Sequence, residues 1–389
     1  MRRVRTGLEE LLARPGDLRG ARIGLIAHAA SVSAELTQAA TLLRGSRAFR
    51  LVTLFGPEHG VEGDAQDLVE VEASRDPVSG LPVHSLYGET RVPSARMLDG
   101  LDALVYDLQD VGSRYYTFIS TLLYALEACA RHRLRLVVLD RPNPVGAITV
   151  NGNVLHAGFR SFVGLHTLAA RHGMTVGELA LLFRAELFPE AQLRVVPMRR
   201  YRRAMSFEDT GLPWVQPSPN MPTVDTAYVY AGGCLVEGTN LSEGRGTTRP
   251  FELLGAPWLD AGRLAHDLAK ERLAGVRFRP CRFTPTFQKH AGRTCAGVQV
   301  HVTDRARFDA FLCYLLLIFH SRRQDTGRFA WRDPPYEYEQ VKRPIDILCG
   351  SERERRAIET GVSPRRLLPA WRKELAAFRR RRARHLLYA

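Results

Sequence analysis

Short apolar runs separated by amphipathic segments characterise the first part of the chain. Five runs have the length and aliphatic content of buried strands: 22–27, 51–55, 81–86, 104–108 and 134–139. Helical spacing or composition marks four segments: 8–12, the stretch from the turn at 28–31 to residue 43, 117–131, and 175–187 with Thr175 as its N-cap. Strands that alternate with helices predict βαβ units, a parallel sheet and right-handed crossovers.

Four of these strands end in polar turns, which follow Ala27, Phe55, Leu108 and Leu139. In a parallel sheet, ligands bind outside the carboxyl ends of the strands. We therefore expect the four turns to converge on one edge of the sheet and to form a site. The acidic loop over 62–67 is long enough to form a lid or rim, and Glu62 and Glu70 are expected to be rim residues.

Of the four turns, the one after Phe55 carries the residues best suited to catalysis. Gly-Pro stops the strand abruptly, and Glu58, His59 and Gly60 follow. Glycines on both sides allow a sharp turn and the close approach of another group. The alternative is that Glu58 caps a helix or faces water.

The second part of the chain is separated from the first by a proline-rich, extended stretch over 211–223. We predict an N-terminal domain over 1–224 and a smaller domain over 225–389. A glycine- and hydroxyl-rich loop opens the second domain at 238–248, and a strand over 298–302 and a helix over 307–321 follow.

The predicted fold class is thus α/β: a Rossmann-like N-terminal domain with a mostly parallel sheet, plus a smaller α+β C-terminal domain. We also predict a cleft between the two domains, with Glu58 facing the loop over 237–248 across it.

Composition and charge narrow the function classes. A net charge of +14 indicates a preference for anionic material, but no motif typical of nucleic-acid binding is present. The basic run over 379–384 is expected to be a solvated tail.

The six cysteines lack CxxC spacing, which favours buried free thiols over disulfides or zinc. No signal peptide or membrane span is found, so a cytoplasmic location is expected; the oligomeric state is left open.

No cofactor is predicted, because neither GxGxxG nor GxxxxGK[ST] occurs at the strand ends. Besides an enzyme that uses Glu58, two classes of function stay open. A binding protein without turnover would use the same cleft, including Tyr115 and Tyr116, but would not need Glu58. A metal-dependent hydrolase would recruit His28, His59, Asp107 and Asp110, although these are not spaced as a known ligand motif.

Several longer motifs occur together and in order along nearly the whole chain: Phe-Gly-Pro-Glu-His-Gly, Tyr-Asp-Leu-Gln-Asp-Val-Gly-Ser-Arg-Tyr-Tyr-Thr, Asp-Arg-Pro-Asn-Pro, Arg-His-Gly-Met-Thr, Pro-Ser-Pro-Asn-Met-Pro-Thr, Glu-Gly-Thr-Asn-Leu-Ser-Glu-Gly-Arg-Gly-Thr and Pro-Tyr-Glu-Tyr-Glu. In these motifs the chain resembles the NamZ-type exo-β-N-acetylmuramidases, a glycoside hydrolase family. The resemblance implies release of N-acetylmuramic acid from the non-reducing end of peptidoglycan fragments, in cell-wall turnover or recycling. It also implies an active site between a Rossmann-like and a smaller domain. Under this resemblance, the alternative of a binding protein without turnover becomes one that binds an amino sugar or a muropeptide.

Within this resemblance, Glu58 is the leading catalytic candidate and the expected general acid. Glycoside hydrolysis needs a second group beside the acid, and the predicted catalytic set is Glu58, Glu243 and Asp110. Asp107 and Glu237 are alternatives for the second role. The predicted substrate-binding set is His59, Asp107, Arg114, Tyr116, Arg141, Asn143, Glu237, Asn240 and Arg245, with no metal ligand.

The arginines in this set are expected to recognise the lactyl carboxylate of N-acetylmuramic acid, because a guanidinium can grip a carboxylate with two hydrogen bonds. For Arg114, Arg141 and Arg245 the alternative is an internal ion pair with an acidic neighbour. Asn143, like Asp140, has the alternative of bracing its proline-rich turn.

Overall fold

A computed structural model describes residues 3–63, 66, 74–76, 78–88 and 90–389 of the chain. The strands are β1 (Arg22–Ala27), β2 (Arg50–Gly56), β3 (Ser74–Arg75), β4 (Pro82–Ser85), β5 (Ala103–Asp107), β6 (Arg135–Leu139), β7 (Asn151–Val154), β8 (Ala169–Arg171), β9 (Leu193–Val196), β10 (Leu253–Ala256), β11 (Val276–Phe283) and β12 (Cys295–Val302). The α-helices are α1 (Gly7–Ala13), α2 (Ala39–Gly45), α3 (Ala95–Leu98), α4 (Phe118–Arg131), α5 (Val176–Leu187), α6 (Val224–Gly233), α7 (Ala261–Lys270), α8 (Ala310–Gln324), α9 (Pro344–Cys349), α10 (Arg353–Glu359) and α11 (Leu368–Arg382). Short 3₁₀ helices cover Gly16–Leu18, Ala157–Phe159, Glu208–Thr210, Cys234–Gly238, Pro364–Leu367 and Ala383–His385.

The N-terminal part is built on one sheet with the strand order β3-β4-β2-β1-β5-β6-β9. All neighbouring pairs are parallel except β3 and β4, which are antiparallel. Leu25, Leu54 and Val105 lie level with one another and belong to the core on one face. The next residue of each strand belongs to the core on the other face: Ile26, Phe55 and Tyr106. Burial on both faces explains why these strands are continuous apolar runs.

Helix ends in this part follow local sequence signals. Thr175 accepts a hydrogen bond from the Glu178 backbone while the Glu178 side chain accepts one from the Thr175 backbone, which is a capping box at the start of α5. Helix α2 begins only at Ala39, later than predicted. In the preceding turn the Ser33 hydroxyl accepts hydrogen bonds from the backbone of Glu35 and Thr37, and such local bonds compete with helix formation.

The C-terminal part combines an antiparallel sheet of order β10-β12-β11 with helices. Helix α8 is buried along most of its length and packs against α6. The six parallel strands with their helices, together with this smaller region, confirm the predicted α/β class. The boundary after residue 224 stays a prediction. Strands β3 and β7 to β11 and helices α3, α6, α7 and α9 to α11 were not predicted.

The basic run near the C-terminus is not a solvated tail, so that prediction is wrong. It ends α11, and Arg382 is buried, with guanidinium nitrogens that donate to the carbonyl oxygens of Ala147 at 3.2 Å and Ile148 at 3.2 Å. Arg379 donates to the carbonyl of Val150 at 2.8 Å. Burial, followed by repulsion from Arg203, lowers the pKa of Arg382 to about 10. The run attaches the last helix to the N-terminal part.

Other predictions concern cysteines, membranes and the lid. All six cysteines are free, and all but Cys281 are buried, as expected. None of the described helices combines the length and the apolar character needed to cross a bilayer. Residues 64, 65 and 67 of the predicted lid, and the predicted rim residue Glu70, lie outside the described residues.

Candidate active site

A cavity between the N-terminal and C-terminal parts brings together side chains from both. From the N-terminal part it is lined by Glu58, His59, Tyr115, Tyr116, Thr117, Val163, Ser218, Asn220 and Met221. From the C-terminal part it is lined by Tyr230, Cys234, Glu237, Arg245, Phe251, Tyr336 and Glu337. The prediction that Glu58 faces the loop over 237–248 is confirmed.

Glu58 lies in the turn just past the carboxyl end of β2 and is only 5% exposed. His59 and Gly60 have φ angles of 72° and 75°, so the backbone reverses immediately after the carboxylate. The Thr117 hydroxyl, at the start of α4, donates to Oε2 of Glu58. This bond ties the side chain to a helix end and fixes its direction.

The Tyr87 hydroxyl lies between two carboxyl groups of the site. It donates to Oε2 of Glu337 at 3.3 Å and lies next to the carboxyl group of Glu58. Burial, and then the charges of Glu58 and Glu337, raise the pKa of the Tyr87 phenol. The phenol therefore keeps its proton and remains a donor at neutral pH.

The C-terminal side of the cavity carries a chain of ionic contacts. Arg245 Nη1 is 2.7 Å from Oε1 of Glu237 and 3.4 Å from Oε1 of Glu243. The Tyr336 hydroxyl donates to Oε2 of Glu237 at 2.6 Å. Lys289 Nζ lies 2.8 Å from Oε2 of Glu243. These contacts orient the Arg245 guanidinium at the wall of the cavity.

The predicted residues divide into two groups. Five line the cavity: Glu58, His59, Tyr116, Glu237 and Arg245. Seven are not part of its lining: Asp107, Asp110, Arg114, Arg141, Asn143, Asn240 and Glu243. The contacts of the second group assign them to internal interactions.

Glu243 and Asp110, both predicted as catalytic, lie behind the cavity wall. Burial by itself would raise the pKa of Glu243, but Lys289 and Arg245 together hold that pKa below its usual value. Glu243 is thus ionised and has no proton to transfer. Asp110 Oδ2 accepts from the Gly112 backbone at 2.8 Å and lies 3.3 Å from Nε2 of His172.

Asp107 and Arg141 form a buried ion pair with two hydrogen bonds, at 2.6 and 2.8 Å. For Arg141, the alternative of internal pairing is therefore confirmed, as it is for Arg245 through its ion pairs with Glu237 and Glu243. Arg114 is also buried, but its guanidinium donates to backbone carbonyls instead, including that of Leu168 at 3.0 Å and that of Leu348 at 2.9 Å. Arg114 thus connects the two parts of the chain.

Asn143 and Asn240 brace backbone segments. Asn143 donates to the carbonyl of Met174 at 2.9 Å and accepts from the Val145 backbone, as the bracing alternative predicted. Asn240 donates to the carbonyl of Arg328 at 2.7 Å.

The residues of the metal alternative do not assemble into a ligand set. Within the described ranges, no group of three His, Cys, Asp or Glu side chains has a geometry suited to a metal ion. His28 Nε2 lies 2.8 Å from the carbonyl oxygen of Pro217. Burial, followed by the nearby His59, lowers the pKa of His28 to about 3, so the ring is neutral.

The predicted set lacked several polar residues that line the cavity, among them Tyr115, Thr117 and Glu337. It also lacked Tyr87, which contacts Glu58 although it does not line the cavity itself. The Tyr115 hydroxyl is buried and has no hydrogen-bond partner in the part of the chain that the structure describes. Glu337 belongs to the motif Pro-Tyr-Glu-Tyr-Glu, which was visible in the sequence. Its distance along the chain from Glu58 concealed the connection.

Comparisons with known proteins indicate one family for both parts of the chain. A family model described as exo-beta-N-acetylmuramidase NamZ, N-terminal, matches residues 23–225, and the C-terminal model of the same name matches residues 228–388. The chain is 44% identical over 389 residues to the peptidoglycan beta-N-acetylmuramidase NamZ of Bacillus subtilis (strain 168), covering 99% of this chain and 92% of the relative.

Two solved structures share the fold, both of DUF1343 family proteins from Bacteroides fragilis NCTC 9343. The first has a TM-score of 0.90 and 33% identity, and covers 100% of this chain and 99% of its own. The second has a TM-score of 0.77 and 28% identity, with 99% of each chain covered.

Proposed function

This chain belongs to the exo-β-N-acetylmuramidase NamZ family, and from that premise we propose that it is a glycosidase with Glu58 as its general acid. Its substrates are peptidoglycan fragments that carry N-acetylmuramic acid at the non-reducing end, and its product is that free amino sugar. Release of this sugar would serve cell-wall turnover or recycling.

The observation that carries the proposal is the position of Glu58. Its carboxyl group is buried in a cavity enclosed by both parts of the chain, at the carboxyl end of a parallel strand. The turn and the hydrogen bond from Thr117 hold it in one direction. A fixed proton donor is what cleavage of a glycosidic bond requires, because proton transfer tolerates little error in distance.

In the proposed reaction, Thr117 holds one carboxyl oxygen of Glu58 and the other oxygen carries the proton. That proton passes to the glycosidic oxygen as the bond from this oxygen to C1 breaks. The burial of the site limits competition from bulk water during the transfer.

Arg245 is the proposed recognition element for the lactyl carboxylate. It is the one member of the three predicted arginines that lines the cavity. Its ion pair with Glu237 fixes the guanidinium plane, so fewer rotamers are lost when a ligand carboxylate binds. We propose that His59, Tyr116 and Glu237 contact the sugar from the same cavity.

The test is product analysis with two defined disaccharides. One has N-acetylmuramic acid at the non-reducing end and N-acetylglucosamine at the reducing end, and the other has the reverse order. We expect the protein to release N-acetylmuramic acid from the first and to leave the second intact, as read by chromatography and mass spectrometry. Tight binding of the first disaccharide without turnover would instead support a sugar-binding protein and refute the proposal.

A further inference from the structure

Glu337 brings a second carboxylate into the cavity from the C-terminal part. It lies in the motif Pro-Tyr-Glu-Tyr-Glu, lines the cavity and is 8% exposed. Its Oε2 accepts a hydrogen bond from the Tyr87 hydroxyl, which also lies next to Glu58. Two carboxyl groups from distant parts of the chain therefore meet at one hydroxyl.

The backbone at Glu337 has an uncommon conformation. Tyr336 and Glu339 exchange two backbone hydrogen bonds of 2.9 Å, which closes a tight turn around the two residues between them. Those two residues, Glu337 and Tyr338, have φ angles of 47° and 66°. Positive φ at both central positions is the signature of a type I′ turn, where Asn-Gly is the usual sequence. Glu and Tyr adopt these positive φ angles at a cost in backbone energy, and residues with such strained φ angles concentrate at functional sites.

The turn is held in place by aromatic contacts. The Tyr338 ring packs edge-on against Tyr87 at 5.7 Å and Phe162 at 5.6 Å, and the Arg91 guanidinium lies 3.9 Å from its centroid. On the other side, the Tyr336 hydroxyl is bonded to Glu237. These contacts fix the direction of the Glu337 side chain between them.

The other acidic side chains near the cavity either form ion pairs or lie outside its lining. Glu237 holds Arg245, and Glu243 is paired with Lys289 and Arg245. Asp110 lies outside the cavity lining. Glycosidases of the two-carboxylate type need an acid and a second carboxylate near the anomeric carbon.

We propose that Glu337 is this second catalytic carboxylate, an inference that rests on the proposed function. Glu58 gives its proton to the glycosidic oxygen, the electron pair of the C1–O bond leaves with that oxygen, and the positive charge at C1 is stabilised by ionised Glu337. Water then adds to C1 and loses a proton to Glu58. Both groups thereby regain their starting protonation states. Tyr87 donates a hydrogen bond to Glu337 and positions it.

The experiment compares three variants on the N-acetylmuramic acid disaccharide: Glu337→Gln, Glu337→Gly and the matched control Glu190→Gln. Glu190 is exposed and lies after α5, far along the chain from every cavity residue. We expect both Glu337 variants to lose roughly two to four powers of ten in kcat, with the control unchanged. Because glycine favours positive φ, Glu337→Gly should keep or raise the melting temperature. If Glu337 had only a structural role, the Glu337→Gly substitution would lower the melting temperature.

Two further readouts separate the roles of the carboxylates. An aryl N-acetylmuramide with a good leaving group should restore turnover to Glu58→Gln but not to Glu337→Gln. Azide should rescue Glu337→Gly by attacking C1 in the space left by the side chain, with the leaving oxygen protonated by Glu58 and N-acetylmuramyl azide as product.

Retention of wild-type kcat by Glu337→Gln would overturn the inference, as would a loss of activity confined to KM. Both results would leave the proposed function intact, because the wild-type protein would still release N-acetylmuramic acid. A wild-type protein inactive on all of these glycosides would overturn the proposed function and, with it, this inference.

Discussion

Replacement of Glu58 by Gln is the perturbation that bears most directly on the proposed acid. The amide keeps the volume of the side chain, and its carbonyl oxygen still accepts the hydrogen bond from Thr117. The variant should therefore fold as the wild type does and still bind the substrate. What it lacks is the proton that passes to the glycosidic oxygen.

The expected loss is set by the value of a positioned acid. General acid catalysis typically contributes about 10²- to 10⁴-fold, which corresponds to about 3–5 kcal/mol of transition-state stabilisation. We expect kcat on the natural disaccharide to fall by that factor while KM changes little. An aryl N-acetylmuramide with a good leaving group needs little protonation, so its turnover should fall much less.

The assay is the steady-state release of N-acetylmuramic acid by both proteins, with each substrate. Glu62→Gln is the matched control, because Glu62 is exposed and lies only four residues further on. It should retain wild-type rates. Normal turnover of the natural disaccharide by Glu58→Gln would refute the reasoning and transfer the acid role to another carboxyl group.

Three further predictions follow from other contacts. Arg245→Met should weaken the preference for N-acetylmuramic acid over N-acetylglucosamine glycosides by raising KM for the former; an unchanged ratio of kcat/KM values would exclude carboxylate recognition by this residue. Arg141→Met leaves Asp107 buried without its partner and should cost about 3–5 kcal/mol in urea unfolding; wild-type stability would contradict the importance of that pair. Burial, partly offset by hydrogen bonds such as that from Tyr388, raises the pKa of Asp140 from 3.8 to about 7. The native state therefore holds the extra proton between these pH values, so this residue's contribution to stability should decline as pH rises from about 4 to 7; Asp140→Asn should flatten that slope, and an unchanged slope would contradict it.

The strands of the parallel sheet were predictable because they are buried on both faces. Continuous apolar runs such as 104–108 leave little ambiguity about their type, and the polar residues after them mark the carboxyl edge. The position of Glu58 followed from that edge alone. Helix α6 was missed because Val224–Gly233 contains residues with low helix propensity and is stabilised by burial against α8.

Side-chain roles within the turns were less predictable. Asp107, Arg141 and Glu58 all follow parallel strands, yet the first two neutralise each other while the third faces the cavity. Sequence spacing along one turn does not determine which partner a charged group meets across the sheet. Glu337 illustrates the same limit, because its link to Glu58 passes through Tyr87, distant from both in sequence.

The most direct measurement is a crystal structure of the Glu58→Gln protein with the disaccharide that carries N-acetylmuramic acid at its non-reducing end. The glycosidic oxygen should lie about 3 Å from the side-chain nitrogen or oxygen of residue 58, within hydrogen-bond reach. The lactyl carboxylate should contact Arg245. A disaccharide bound elsewhere on the protein, or bound in the cavity with its glycosidic oxygen out of reach of residue 58, would contradict the assignment of Glu58 as the acid.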